Sequence, residues 1–152
     1  MSDYNPEIVE NLSYVIRLNS LHDCQHSSDP ECAAATKNVR SEILDWDLST
    51  DGTDPLYDII IGADIVCQRS DCDGITRVLN NRLRRGGFAV FVCSSKKNRF
   101  GVDALPDVLQ AAGFDVSVTS IDESTSSNIL RNNQTQNSRP ADELQLYQIS
   151  HI

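Results

Sequence analysis

The sequence predicts a three-layer, Rossmann-like α/β domain on a mainly parallel sheet, and three observations carry that prediction. Helical and strand periodicities alternate along the chain, the order that builds parallel sheets with helices packed against them. Two dense apolar runs, residues 57–61 and 88–93, have the look of strands covered on both faces. The last two strand patterns are joined by a polar stretch with no helical period, which predicts an antiparallel pair at one edge. A chain of 152 residues is a prior for one domain, and it buries roughly 70% of its unfolded surface.

Each element has its own local justification. Asn5 followed by Pro6 opens a helix, the first as N-cap and the second at the first helical position, where its missing N–H costs nothing. Ile8, Val9, Leu12, Val15 and Ile16 then recur on one face to about Asn19, after which a polar loop is expected. Residues 38–44 alternate as a strand that ends at Asp45-Trp46, and residues 49–55 are turn-rich. After the 57–61 strand, Ser70 with Asp73 reads as a helix start, and Ile75, Val78, Leu79 and Leu83 as its buried stripe. Arg82, Arg84 and Arg85 suit the negative end of that helix, with Gly86-Gly87 as the stop. Beyond the 88–93 strand, Leu105, Val108, Leu109 and Ala112 mark a helix that Gly113 ends. Residues 114–121 form a strand, 122–142 a mobile polar loop, and 144–149 the final strand.

Composition narrows the function classes. A formal charge of −9 argues against non-specific nucleic-acid binding and against anionic membrane surfaces. The longest mainly apolar stretch, residues 57–67, carries two aspartates and is too short to span a bilayer. No basic-then-apolar leader follows Met1, so a cytoplasmic protein is expected. Five cysteines at uneven spacing fit reduced thiols better than a disulfide framework. His22, Cys24, His26 and Cys32 carry metal-ligand atoms, but their spacing matches no usual zinc pattern, and an ordinary polar loop is the favoured reading, with no metal.

Ligands of open α/β sheets bind beyond the carboxyl ends of the strands. Four places qualify: residues 2–5, 44–46, 62–65 and 93–96. A carboxylate there, such as Asp3, can accept hydrogen bonds from both hydroxyls of a ribose, and the indole of Trp46 offers a flat face to an adenine. Small residues such as Gly62 and Ala63 allow close approach to the backbone. Asp64 is either a turn cap or a functional carboxylate. The seven glycines include no pair separated by one residue, so these residues contain no Gly-x-Gly turn.

Three segments in order resemble methyltransferase family 16, the seven-β-strand, S-adenosylmethionine-dependent enzymes whose known members are mostly protein-lysine methyltransferases. They are Ser2-Asp3-Tyr4-Asn5-Pro6 with Glu10-Asn11-Leu12 and Asn19, then Leu44-Asp45-Trp46, then residues 57–64 (YDIIIGAD). The resemblance runs from Ser2 to about Ile149. It implies that Asp3 binds the cofactor ribose, Trp46 contacts the adenine, and Ala63 gives a backbone contact. It also implies that Asp64 opens the D-x-x-Y element lining the active site, where a protein lysine enters. The sequence departs from the family at Cys67, which stands where that element has an aromatic. It also begins where the family's second strand ends, so a partial, N-terminally truncated domain is expected over residues 1–152. The alternative is a non-catalytic interaction module or inactive fragment on the same fold.

Overall fold

The computed structural model describes residues 2–26, 39–48, 55–94, 99–121 and 144–152. They fall into two compact units, Met1–Leu48 and Ser49–Ile152. The expected mobile loop at 122–142, the turn-rich residues 49–54, and Cys32 lie outside the described residues.

The first unit pairs two very short parallel strands, β1 (Ser2–Asp3) and β2 (Glu42–Ile43), in the register Ser2↔Glu42 and Asp3↔Ile43. Between them runs α1 (Pro6–His26). Its start is as the sequence predicts: the Asn5 side chain accepts the Glu7 N–H at 2.9 Å, and the Asn5 carbonyl accepts that of Val9 at 3.1 Å. Its end is not. The helix runs through His22, Cys24 and His26, where a loop is expected, because no Gly or Pro interrupts the chain between Pro6 and Pro30. The predicted 38–44 strand shrinks to two ladder residues, and a turn follows at Asp45, whose carboxylate accepts the Asp47 N–H at 2.9 Å.

The second unit is a four-stranded sheet of β3 (Tyr57–Ala63), β4 (Leu83–Ser94), β5 (Phe114–Ile121) and β6 (Leu144–His151), in the order β3-β4-β6-β5. β3 and β4 are parallel, and β6 runs antiparallel to both β4 and β5. The expected antiparallel pair is present, with β6 inserted inside β5. Helices α2 (Arg69–Arg82) and α3 (Leu105–Ala111), the latter led by a 3₁₀ turn at Val102–Ala104, complete the unit.

The core lies on one sheet face. Ala89, Phe91 and Cys93 of β4 alternate inward with Tyr147 and Ile149 of β6, and they are buried together with Cys72, Ile75 and Leu79 of α2 and Leu105 and Leu109 of α3. Burial pushes the thiols of Cys72 and Cys93 up, and the Tyr147 hydroxyl up to about 12. Cys67, Cys72 and Cys93 are free thiols.

The opposite face corrects one expectation. β3 is not covered on both sides: Ile59 is 51% and Ile61 79% exposed, at positions that face away from the core.

Two boundaries also move. Helix α2 is capped by Gln68, not Ser70: the Asp71 carboxylate, not Asp73, accepts the N–H groups of Cys67 at 2.8 Å and Gln68 at 2.9 Å. At its far end only Arg82 belongs to the last turn; Arg84 and Arg85 already lie in β4, and Arg84 pairs with Asp58 at 2.6 Å. Gly86-Gly87 does not stop the helix. The glycines form an irregularity in the β3–β4 ladder, where pairing jumps from Tyr57↔Leu83 to Ile59↔Phe88. Gly86 takes a φ of +81°, and a Cβ on Gly87 would sit 2.6 Å from the Asp58 carbonyl oxygen.

Candidate functional site at the carboxyl ends of the strands

In the first unit, Asp3 and Trp46 share one strand edge. Asp3 ends β1, its backbone carbonyl accepts the Leu44 N–H at 2.9 Å, and Trp46 follows two residues later in the turn beyond β2. The two residues read as ribose and adenine contacts are therefore brought to the same end of one parallel pair by the β1–β2 register. One Asp3 oxygen accepts the Asn5 N–H at 2.9 Å, which fixes the carboxylate against the chain that enters α1. Asp3 and Trp46 are both half-buried. A ribose–adenine group fits this donor and acceptor set: a fixed carboxylate and a partly open indole on one edge.

In the second unit, Ala63 and Asp64 end β3 next to the end of β4. The Asp64 N–H donates to the Val92 carbonyl at 2.7 Å, which continues the ladder one residue past the strand. Asp64 then takes a φ of +51°, the left-handed region that Asp tolerates better than most residues. That turn aims its carboxylate across the sheet end, where it accepts the Ser94 N–H at 3.3 Å. It also accepts from Arg99 in bidentate fashion: Nε donates to one oxygen at 3.2 Å and Nη2 to the other. The third guanidinium nitrogen, Nη1, donates to the Cys67 Sγ at 3.4 Å. The Arg99 guanidinium holds the Asp64 carboxyl below the usual carboxylate range, with the Ser94 N–H acting in the same direction against partial desolvation.

Gly62 has a different role from the one its size suggested. A Cβ there would meet Ile65 Cδ1 at 2.7 Å and Phe91 Cδ1 at 2.8 Å, so its smallness serves the packing of those two side chains. Ala63, by contrast, is exposed at the sheet end.

Sequence reasoning missed Arg99. The one available signal was the basic run Lys96-Lys97-Asn98-Arg99 just past the end of β4. Nothing in that run says which residue turns back, because the contact with Asp64 spans 35 positions. No helix among the described residues is long and apolar enough to cross a membrane.

No protein-family profile matches the sequence, and no curated protein matches it. Solved structures resemble its fold. The fibrillarin pre-rRNA processing protein of Methanococcus jannaschii superposes with a TM-score of 0.56 at 14% identity, over 99% of this chain and 54% of that one. A TehB-like SAM-dependent methyltransferase from Corynebacterium glutamicum gives 0.48 at 15% identity, over 82% and 65% of the two chains. The ribosomal protein L11 methylase of Lactobacillus delbrueckii subsp. bulgaricus gives 0.43 at 14%, over 80% and 52%. The chain thus spans about half the length of the first and last of these. The mixed α/β sheet, with β6 running antiparallel beside the parallel β3–β4 pair, belongs to a fold shared with the fibrillarin protein.

Proposed function

We propose that this chain acts in S-adenosylmethionine-dependent methyl transfer, with a lysine side chain of a protein as the acceptor. The observation that carries the proposal is the order β3-β4-β6-β5 with β6 reversed, on which the fold likeness rests, together with Asp3 and Trp46 meeting at one strand edge. When bound, the cofactor supplies a methyl group on a sulfonium, transferred by in-line displacement. Asp3, held by the Asn5 N–H, would accept from the ribose hydroxyls, and Trp46 would offer its indole face to the adenine. Ala63 gives a backbone contact, its exposed position leaving the peptide open to a ligand. Asp64 orients the incoming ammonium and places the amine once it is neutral, since positioning and desolvation dominate such a transfer. The charge of −9 favours a basic protein segment as partner over a nucleic acid, and a cytoplasmic setting fits the reduced thiols.

The test is transfer of a labelled methyl group from S-adenosylmethionine to lysine-containing peptides. Asp64→Asn should lower turnover strongly and leave cofactor affinity nearly unchanged, because the carboxylate belongs to the acceptor side. Retained turnover in that variant refutes the role given to Asp64. The absence of a Gly-x-Gly turn predicts cofactor binding weaker than low micromolar, and Trp46→Ala should remove a further ~1–3 kcal/mol by calorimetry. A second reading, a non-catalytic module on the same fold, is favoured by one observation: Asp64 already holds a cation of its own, Arg99. Cofactor binding without transfer to any acceptor would select it.

A further inference from the structure

Arg99 is the one charged partner of Asp64 seen among the described residues, and it takes both carboxylate oxygens. All three of its guanidinium nitrogens are engaged, two on Asp64 and one on the Cys67 thiol. Cys67 is held in turn: its N–H donates to the Asp71 carboxylate at 2.8 Å, which ties it to the first turn of α2. The cation therefore sits in a fork whose two arms are fixed by separate elements, the end of β3 and the start of α2. A guanidinium matches a carboxylate in planar, two-bond geometry that an ammonium cannot reproduce.

We propose that Arg99 is a specificity-determining residue that screens acceptors at Asp64 by occupying the position an ammonium would take. The identity of that ammonium rests on the methyl-transfer reading above; the screening itself does not. A tethered cation competes at an effective concentration that a free amine in solution does not reach. A small untethered amine is therefore excluded. A lysine carried on a bound protein segment is admitted, because contacts made elsewhere on that segment offset the displacement of Arg99. Cys67, at the position where the resembling family has an aromatic, serves this arrangement as the second anchor of the guanidinium.

The amide resonances of Ala63 and Asp64 report the test by NMR, with Nα-acetyl-lysine methylamide and its uncharged isostere Nα-acetyl-2-aminoheptanoic acid methylamide as probes. In the wild-type chain the two probes should perturb these resonances equally. Arg99→Gln should create a preference for the lysine probe of about two- to fivefold, the range of an exposed ion pair. Arg99→Lys, which keeps a tethered cation, should restore the lack of preference, and the double variant Asp64→Asn/Arg99→Gln should lose the preference again. A wild-type chain that already favours the lysine probe overturns the proposal. So does an Arg99→Gln chain that treats the two probes alike, including by ignoring both. Neither readout needs methyl transfer, so an inactive protein would count against the proposed reaction and leave the screening of cations decided on its own data.

Discussion

Asp3 and Asp64 are both carboxylates at the carboxyl ends of parallel strands, and they are held in opposite ways. Asp3 is fixed by the N–H two residues downstream, inside the same turn that opens α1. Asp64 is fixed by Ser94 and Arg99, 30 and 35 residues away, after a left-handed turn in its own backbone. The same contrast runs through the two units. The first has two-residue strands and a helix whose Ile8, Val15 and Leu18 are each more than two-fifths exposed. The second has an extended sheet with Phe91, Tyr147, Leu79 and Leu105 almost wholly buried. The contacts that fix the Asp3 carboxylate are local, and those that fix Asp64 are long-range.

Truncating an apolar side chain in each unit breaks or sharpens that contrast most strongly. Phe91→Ala should cost about 3–5 kcal/mol, since a 2%-exposed aromatic against Ile65 and the α2 side of the sheet leaves a cavity that a strand interior cannot collapse. Val15→Ala, at a 44%-exposed helical position, should cost about 1 kcal/mol or less, because most of that side chain is never removed from water and alanine is the better helix former. Chemical denaturation of both variants measures the two costs. Equal losses would mean that α1 is buried in solution.

The contrast also explains what could be read from the sequence. The start of α1, the 114–121 strand and the helix ended by Gly113 are legible because each is encoded by neighbours within a few positions, and the antiparallel final pair is legible because the sequence joining its strands carries no helical period. Gly113, at a φ of +88°, is such a signal. The errors fall where one local signal has two outcomes. Gly86-Gly87 reads equally as a helix stop and as a ladder irregularity, and only the jump in β3–β4 pairing decides. Ser70 and Gln68 compete as caps, and the carboxylate of Asp71 chooses Gln68 by reaching its N–H and that of Cys67 together. For the candidate site, residues 2–5 and 44–46 are each legible as strand ends, whereas the register that sets Asp3 and Trp46 at one edge is visible only in the structure. Arg99 was beyond reach for the reason that Asp64 needs it: the pair joins two segments whose periodicities say nothing about each other.

A smaller effect tests the local half. Asn5→Ala removes the acceptor of the Glu7 N–H at the start of α1, and a lost N-cap costs about 1 kcal/mol. Amide exchange at Glu7, Ile8 and Val9 should accelerate by about fivefold, with the exchange of β4 and β6 unchanged. Acceleration in β4 would mean that the cap supports more than its own helix.

The smallest effect is the response of the Asp64 contact to acid, set against a helix cap that does not titrate. The Asp64 carboxyl is held below its ordinary value of about 3.9 by the Arg99 guanidinium. A group with a depressed folded-state pKa contributes stability that is fully present above its unfolded value and is lost as the pH falls through its folded value. The stability difference between the wild-type chain and Asp64→Asn should therefore be constant from neutral pH down to about 5 and shrink below about 4. Both partners are partly open to water, so the difference is small throughout and should weaken further in high salt. The Asn5 cap has no titrating atom, and the loss caused by Asn5→Ala should not follow that curve. Parallel denaturation series on the two variants at pH 7, 5, 4 and 3 give the comparison. A difference for Asp64→Asn that persists undiminished at pH 3 would show that the carboxylate acts through its hydrogen bond to the Ser94 N–H, which an amide oxygen can replace only in part, and not through the charge of Arg99.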